Sequence, residues 1–272
     1  MFPEYRIYET LKFGLSDPQV LALQRALPAW ASGGVALTPD GVFGDKTLAA
    51  VRVFQESMNL KVDGVVGCGT ATALRLWCNT DFGFDVSRFN QITWSKVDTK
   101  KYKFVNVKAT EGATYIDPTF HASMSAAIDV GLTTSVYHYT KFANTPAFEV
   151  GNLAGATESF RRNITTYYLD LEHRETALSA AEIAAWVDEF AWRAATLFDP
   201  WRVGIYTSSN YLREMGLQGF KGFADNQLWA ASWGTQPLVS PWAAWDVWQF
   251  TNSGSEEWCN GPIDLNRRAL LQ

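Results

Sequence analysis

The chain of 272 residues is 47% hydrophobic and 19% charged, too apolar for a disordered polymer and long enough for one large core or two unequal ones. A formal charge of −5 offers no excess of basic side chains for displacing phosphate counterions, so no nucleic-acid partner is expected. No run approaches the roughly 18 apolar residues of a membrane span, and the start MFPEYRIYETLKF carries acids where a secretory signal has a basic end. Neither membrane insertion nor a Sec-type address is expected. Cys68, Cys78 and Cys259 lack close pairing and read as free thiols. His121, His138 and His173 lie far apart, outside any HExxH pattern, so no metal and no cofactor is expected.

An internal echo opens the chain. PDGVFGDKTLAA (39–50) recurs as VDGVVGCGTATA (62–73), setting Asp40, Gly41, Gly44 and Thr47 against Asp63, Gly64, Gly67 and Thr70. Each Asp-Gly pair suits a tight turn with positive φ, the second Gly permits a close backbone approach, and the Thr stands near the start of an apolar-periodic run. Val20, Leu23 and Leu27 recur at helical spacing, as do Leu48, Val51 and Phe54, which together with the run near Leu74 predicts three short amphipathic helices. Residues 1–80 therefore read as a small helical domain, balancing seven basic against seven acidic side chains.

Beyond residue 80 the composition changes. Ten of the twelve tryptophans lie there, and β-rich runs alternate with helical ones, as in a parallel-strand α/β domain spanning 81–272. Eight strands are predicted, over 82–87, 103–109, 133–139, 165–172, 202–207, 227–233, 244–250 and 262–266. Helices are predicted around 119–130, 147–163, 179–198 and 208–215, the third opened by a Ser179/Glu182 capping box. Eight strands fit a closed barrel, but about 192 residues are short for eight full strand–helix units, so the expected fold is an irregular (β/α) barrel with some helices missing or reduced.

The segment TTYYLDLE (165–172) carries the sharpest chemical signal. Strand alternation puts Tyr168, Asp170 and Glu172 on one face and Leu169 and Leu171 on the other, which aims two acids into the barrel near the strand's carboxyl end. A strand running into a loop also ends in solvated carboxylates, so this segment alone leaves a plain surface reading open. The same polarity recurs at other strand ends, with Asp85, Lys108, Glu111, Tyr139 and Asp264. Crowded acids in an apolar mouth repel and lose hydration, so at least one holds its proton near neutral pH. A proton donor beside an ionised neighbour is what glycosidic-bond cleavage requires. Residues i and i+2 of a strand lie about 6.6 to 7 Å apart at Cα, wider than the roughly 5 to 5.5 Å between the carboxyls of a nucleophile–acid pair. Asp170 is therefore not expected to attack; if the substrate sugar has an N-acetyl group at C2, its carbonyl oxygen can attack while Asp170 orients and charge-stabilises the nitrogen. Trp229 and Trp233, alternate on one strand, and the nearby Trp242, Trp245 and Trp248 are candidates to stack on sugar faces or to fill a core.

The ordered motifs FDVSRFNQ (84–91), VKATEGATYIDPTF (107–120), YHY (137–139), YLDLE (168–172), GIYTS (204–208), LWAASW (228–233) and WQFTNSG followed by IDLN resemble glycoside hydrolase family 25 over residues 82–268. The resemblance implies an irregular (β/α) barrel that hydrolyses the β-1,4 bond between N-acetylmuramic acid and N-acetylglucosamine. It implies Glu172 as general acid, Asp170 as the partner supporting the acetamido group, Asp85 and Asp264 completing an acidic floor, and Lys108, Glu111, Tyr115, Tyr139 and Tyr206 lining the groove. Tyr139 stands where relatives often carry Phe, and SGSEEWCNGPIDLN is more acidic and bulkier than the Gly- and Val-rich stretch common there.

Residues 14–76 similarly resemble a peptidoglycan-binding helical module through VLALQRAL, DGVFGDKT, AVRVFQ and DGVVGCGT. The combined expectation is a monomeric two-domain cell-wall lysin like those of phages, with peptidoglycan as its partner. It would be made in the bacterial host cytoplasm and reach the cell wall or periplasm through a membrane-permeabilising partner. The rival functions are a non-catalytic peptidoglycan-binding protein on a barrel scaffold and a chitinase.

Overall fold

A computed structural model describes residues 6–7, 10–34, 37–74, 77–78, 80–198, 202–233, 240–242 and 245–269. Internal contacts divide the chain into two compact units, one built on residues up to Thr80 with the chain end from Ala269, the other on Asp81–Arg268.

The smaller unit holds helices α1 (Pro18–Ala26), α2 (Asp45–Ser57) and α3 (Cys68–Ala73), with the short parallel strands β1 (Arg6–Ile7) and β2 (Trp77–Cys78). Asp17 caps α1, its Oδ1 accepting the Gln19 N–H at 2.7 Å, while Pro18 occupies the first turn, where a missing N–H costs nothing. The apolar faces bury Val20, Leu23, Leu27, Val51, Phe54 and Leu74 in one core with Leu11, Phe43 and Val66.

The echoed turns have a common physical cause. Gly41 and Gly64 sit at φ +77° and +74°. Over each turn lies a buried glutamine. Gln24 Nε2 donates to Asp40 Oδ1 (2.8 Å), the Val42 carbonyl (3.0 Å) and Thr47 Oγ1 (3.1 Å), while its Oε1 accepts the Gly41 N–H (3.0 Å). Gln55 repeats the pattern on Asp63 (3.0 Å), Val65 (2.9 Å), Thr70 (3.1 Å) and Gly64 (2.8 Å). The close approach expected at the second glycines is absent, since a Cβ at Gly44 or Gly67 would meet open space. Gly44 instead forms the N-cap of α2, its carbonyl accepting the Leu48 N–H at 2.9 Å.

The larger unit contains β3 (Thr80–Val86), β4 (Gln91–Ile92), β5 (Tyr102–Glu111), β6 (Tyr115–Ile116), α4 (Phe120–Asp129), β7 (Thr133–Tyr139), α5 (Pro146–Thr157), β8 (Ile164–Asp170), α6 (Ala180–Phe198), β9 (Val203–Thr207), α7 (Ser209–Glu214), β10 (Gln227–Ala231), β11 (Val247–Gly254), β12 (Cys259–Asn260) and β13 (Ile263–Ala269). Strands β3, β5, β7, β8, β9, β10, β11 and β13 close into an eight-stranded barrel in that order, and these are the eight strands read from the sequence. The fifth expected strand starts at Val203, and Ala244 of the seventh lies outside the described residues. The chain runs parallel from β3 through β11, and β13 returns antiparallel to β11. Helices α4 to α7 follow the expected segments. No α-helix is described between β3 and β5 or between β10 and β11. Ser179 and Glu182 form the capping box, Ser179 N–H donating to Glu182 Oε2 at 2.7 Å.

The barrel interior is packed, not open. Phe104, Tyr137, Tyr168, Tyr206, Trp229 and Val247 form one buried cluster. Two glycines make room for its rings: a Cβ at Gly83 would overlap the Phe104 ring, and one at Gly204 the Tyr168 ring. The acidic, bulky segment after β11 has a defined shape. Trp258 packs on Phe84 (4.6 Å) and Tyr102 (5.3 Å), Glu256 accepts the Lys101 ammonium at 2.8 Å, and β12 pairs with β4. Cys259 is buried as a free thiol, and the side chains of Cys68 and Cys78 lie outside the described residues.

Candidate active site

At the carboxyl end of β8, period-two alternation carries the inward face from Tyr168, in the barrel plug, up to Asp170, which is 5% exposed. The strand ends at Asp170, yet Leu171 keeps the extended pairing, its N–H donating to the Tyr206 carbonyl at 2.8 Å. Glu172 therefore emerges at the rim, where it is exposed. Leu169 and Leu171 are buried, as the alternation requires.

Asp85, next to last on β3 and 6% exposed, is fixed by two amides. Its Oδ2 accepts Asn266 Nδ2 at 2.7 Å and Gln249 Nε2 at 3.1 Å. Trp229 Nε1 donates to Asn266 Oδ1 (2.8 Å), and Tyr206 Oη donates to Gln249 Oε1 (3.0 Å), which sets the direction of both amides. Asp264 belongs at this end because β13 runs opposite to its neighbour, so its first residues, rather than its last, lie at the mouth. A carboxyl–carboxylate hydrogen bond joins it to Asp85.

Lys108 and Glu111, three apart on β5, would face opposite ways on a regular strand. A bulge between Lys108 and Thr110 resets the parity: Lys108 stands opposite Tyr137 of β7, Thr110 opposite His138 and Glu111 opposite Tyr139. Lys108 Nζ reaches Glu111 Oε2 at 2.9 Å and lies 5.0 Å from the centre of the Tyr139 ring, while Lys141 bonds the other oxygen of Glu111. Tyr139 Oη is 3.2 Å from His173 Nδ1.

Electrostatics follow from this crowding. Burial pushes the Asp170 carboxyl well above the ordinary range, the Glu172 charge adds to the rise, and Lys108 opposes it. Partial loss of hydration in the crowded mouth raises Glu172 as well, against Arg174 and Lys108, with Asp264 adding to the rise. Asp85 is raised well above its usual value by burial and by Asp264. Burial works in the same direction on Glu111, but hydrogen bonds from Lys141 and Lys108 hold it below the usual glutamate value. Tyr139 is pushed up to about 12 by burial, Asp170 and Glu172. At the centre, the buried Oδ1 of Asp170 accepts no hydrogen bond from any described residue.

Asp85, Lys108, Glu111, Tyr139, Asp170, Glu172, Tyr206 and Asp264 thus come together at the mouth. Tyr115 pairs with Glu111 on the β5–β6 ladder, and Trp233 stands 58% exposed at the rim, its Nε1 3.3 Å from Gln249 Oε1. Trp229 is a correction. Of the two roles open to it, sugar stacking and core filling, it takes the second: it is 2% exposed inside the plug, with ring centres 4.5 Å from Tyr206 and 5.3 Å from Tyr168.

Sequence reasoning missed Tyr137, whose hydroxyl feels Asp85, Asp170 and Asp264, and missed the orienting amides Gln249 and Asn266. The signal was parity: each is a polar group on the inward face of an apolar strand, two residues from Tyr139, from Val247 and from Asp264 respectively. Among the described residues, no group of His, Cys, Asp and Glu could hold a metal ion.

Residues 84–257 match the model of glycosyl hydrolases family 25, and residues 16–74 that of a putative peptidoglycan binding domain. Lysozyme M1 of Streptomyces globisporus is 27% identical over 198 residues, covering 68% of this chain and 66% of that protein. The uncharacterized protein YegX of Escherichia coli (strain K12) is 28% identical over 193 residues, covering 69% of each. The matched region thus spans about two thirds of these relatives. Among solved structures, the bacterial lysozyme from Streptomyces coelicolor superposes with a TM-score of 0.62 at 25% identity, covering 70% of this chain and 92% of that one. The barrel, its acid-lined mouth and the match over most of its length agree, and the chain belongs to the glycosyl hydrolases of family 25.

Proposed function

We propose that the barrel hydrolyses the β-1,4 bond between N-acetylmuramic acid and N-acetylglucosamine in peptidoglycan, with Glu172 as general acid and Asp170 as the group that orients the substrate acetamido. The observation that carries this reading is the contrast within two residues: a buried Asp170 with an unpartnered acceptor oxygen beside a solvent-reaching Glu172. An amide N–H of the substrate supplies the donor that Asp170 Oδ1 lacks, which favours the ionised form of Asp170 and leaves the proton on Glu172. Glu172 then protonates the departing glycosidic oxygen as positive charge grows on the sugar ring. The acetamido oxygen, aligned by Asp170, closes on the anomeric carbon, and water later opens the cyclic intermediate. The Asp85–Asp264 pair adds negative charge beneath the ring, and Lys108 keeps the cluster from gathering more protons than the reaction uses.

On this reading the smaller unit holds the enzyme on its insoluble polymer, making each later encounter effectively intramolecular. The name of lysozyme M1 and the family match support the substrate class. The test is to digest purified peptidoglycan, reduce the new ends with borohydride and identify the reduced sugar. Reduced muramic acid is expected. Reduced glucosamine would replace this bond specificity with that of a glucosaminidase or chitinase, and no new ends would leave a non-catalytic wall-binding protein.

A further inference from the structure

The loop after β3 carries an arginine that the chemistry above leaves unused. Arg88 is exposed, and its guanidinium carbon lies 4.7 Å from the centre of the Phe89 ring and 5.7 Å from that of Tyr115. Among the described residues no carboxylate pairs with it. The nearby acids are already engaged. Asp117, 2% exposed, spends Oδ2 on the Arg88 backbone N–H (3.1 Å) and Oδ1 on the Thr119 N–H (2.9 Å) and hydroxyl (2.7 Å). Glu111 is bonded by both Lys108 and Lys141.

The loop is held by its backbone rather than by the guanidinium. Ser87 N–H donates to Asn90 Oδ1 (3.0 Å), Asn90 N–H to the Ser87 carbonyl (2.9 Å), and Arg88 N–H to Asp117. A planar cation flanked by two rings, on a fixed turn, is arranged for two-pronged recognition of a carboxylate. Its position is also specific. β3 and β5 are parallel, so the loop leaves the barrel at the end that carries Asp85, and Tyr115 is paired with Glu111, whose partner Lys108 acts on both Asp170 and Glu172.

We propose that Arg88, with Phe89 and Tyr115, binds a carboxylate borne by the lactyl branch of a muramic acid unit, and so favours anionic peptidoglycan over neutral N-acetylglucosamine polymers. This deepens, and rests on, the proposed glycan substrate. The carboxylate has two sources in such a polymer, the lactyl group itself where the stem peptide has been removed and the acidic residues of the stem where it remains. Phe89, 75% exposed, supplies an apolar face for the sugar or lactyl methyl that carries the charge.

The test measures binding by calorimetry in a Glu172→Gln background, with three soluble tetrasaccharides of alternating N-acetylglucosamine and N-acetylmuramic acid. One has free lactyl carboxylates, one has them capped as methylamides, and one carries an L-Ala-D-Glu stem. At least one carboxylate form is expected to bind about tenfold more tightly than the capped form, the size of one charge-assisted hydrogen bond. The tighter arm identifies the source. Adding Arg88→Gln is expected to erase that preference while leaving the affinity of the capped sugar unchanged, and Arg88→Lys to keep part of it. Equal binding of all three forms, no binding of any, or a preference that survives Arg88→Gln would overturn the proposal. Failure of the catalytic reading is a separate result, namely no turnover of the same compounds by the unmutated enzyme.

Discussion

Lys108 and Glu111 meet at 2.9 Å although they stand three positions apart on one strand, because a single bulge turns both toward the barrel mouth. The ammonium so placed favours the ionised forms of Asp170 and Glu172 together. Replacing Lys108 by Met removes a charge that lowers both groups. Both limbs of the kcat/KM profile against pH are expected to move upward, by roughly half a unit to one unit. A profile that loses height without moving would show that Lys108 acts through substrate contact alone.

Asp85 makes the fold itself sensitive to pH. Its folded-state pKa lies above the unfolded value near 3.8, so its contribution to stability is complete below that value and is lost as pH rises through the folded pKa. Asp85→Asn keeps the shape and does not titrate. In urea unfolding at a series of pH values, the variant is expected to gain on the unmutated protein as pH climbs from about 4 toward 7, by up to about 1.4 kcal/mol per pH unit within that window. A constant difference across the series would contradict the assignment.

Gly204 is small because Tyr168 lies over it. Gly204→Ala is expected to destabilise the barrel by about 1 to 3 kcal/mol through overpacking. Tyr168→Leu in the same chain should recover part of that loss, since the two changes share one space. Additive losses in thermal unfolding would mean that the ring and the glycine are not coupled.

The twin turns of the smaller unit give a local test. Gln55→Leu strips the Gly64 N–H and the Val65 carbonyl of their partners, whereas Gln24 still holds the Gly41 N–H. Hydrogen exchange should lose protection at Gly64, by ten- to a hundredfold for about 1 to 3 kcal/mol, and keep it at Gly41. Equal loss at both amides would tie the two turns into one cooperative unit.

Strand positions, helix positions and the acid pair were legible because each rests on short-range periodicity. The eight barrel strands appear as apolar runs, and Asp170 and Glu172 share a face by counting in twos. What escaped depends on register and on distance along the chain. The bulge that brings Glu111 beside Lys108 has no sequence marker, because Ala109 and Thr110 suit a regular strand as well. Gln24 and Gln55 do the same work in the echoed turns, yet they stand 16 and 8 residues before their aspartates, so an offset of 23 does not align them. Trp229 and Trp233 are equivalent by alternation, but four positions along the chain separate the packed plug from the open rim. Depth in a barrel is set by how the neighbouring strands are staggered, which no single strand records.

The central claim is a division of labour between Glu172 and Asp170. The most direct measurement is kcat for Glu172→Gln and Asp170→Asn on a soluble peptidoglycan oligosaccharide, with binding followed separately. Glu172→Gln is expected to lower kcat by about a hundredfold or more while leaving affinity within a few fold, because the lost proton is needed only as the bond breaks. Asp170→Asn is expected to lower both kcat and affinity, since the acetamido partner acts before and during that step. Near-normal turnover by either variant would contradict the account.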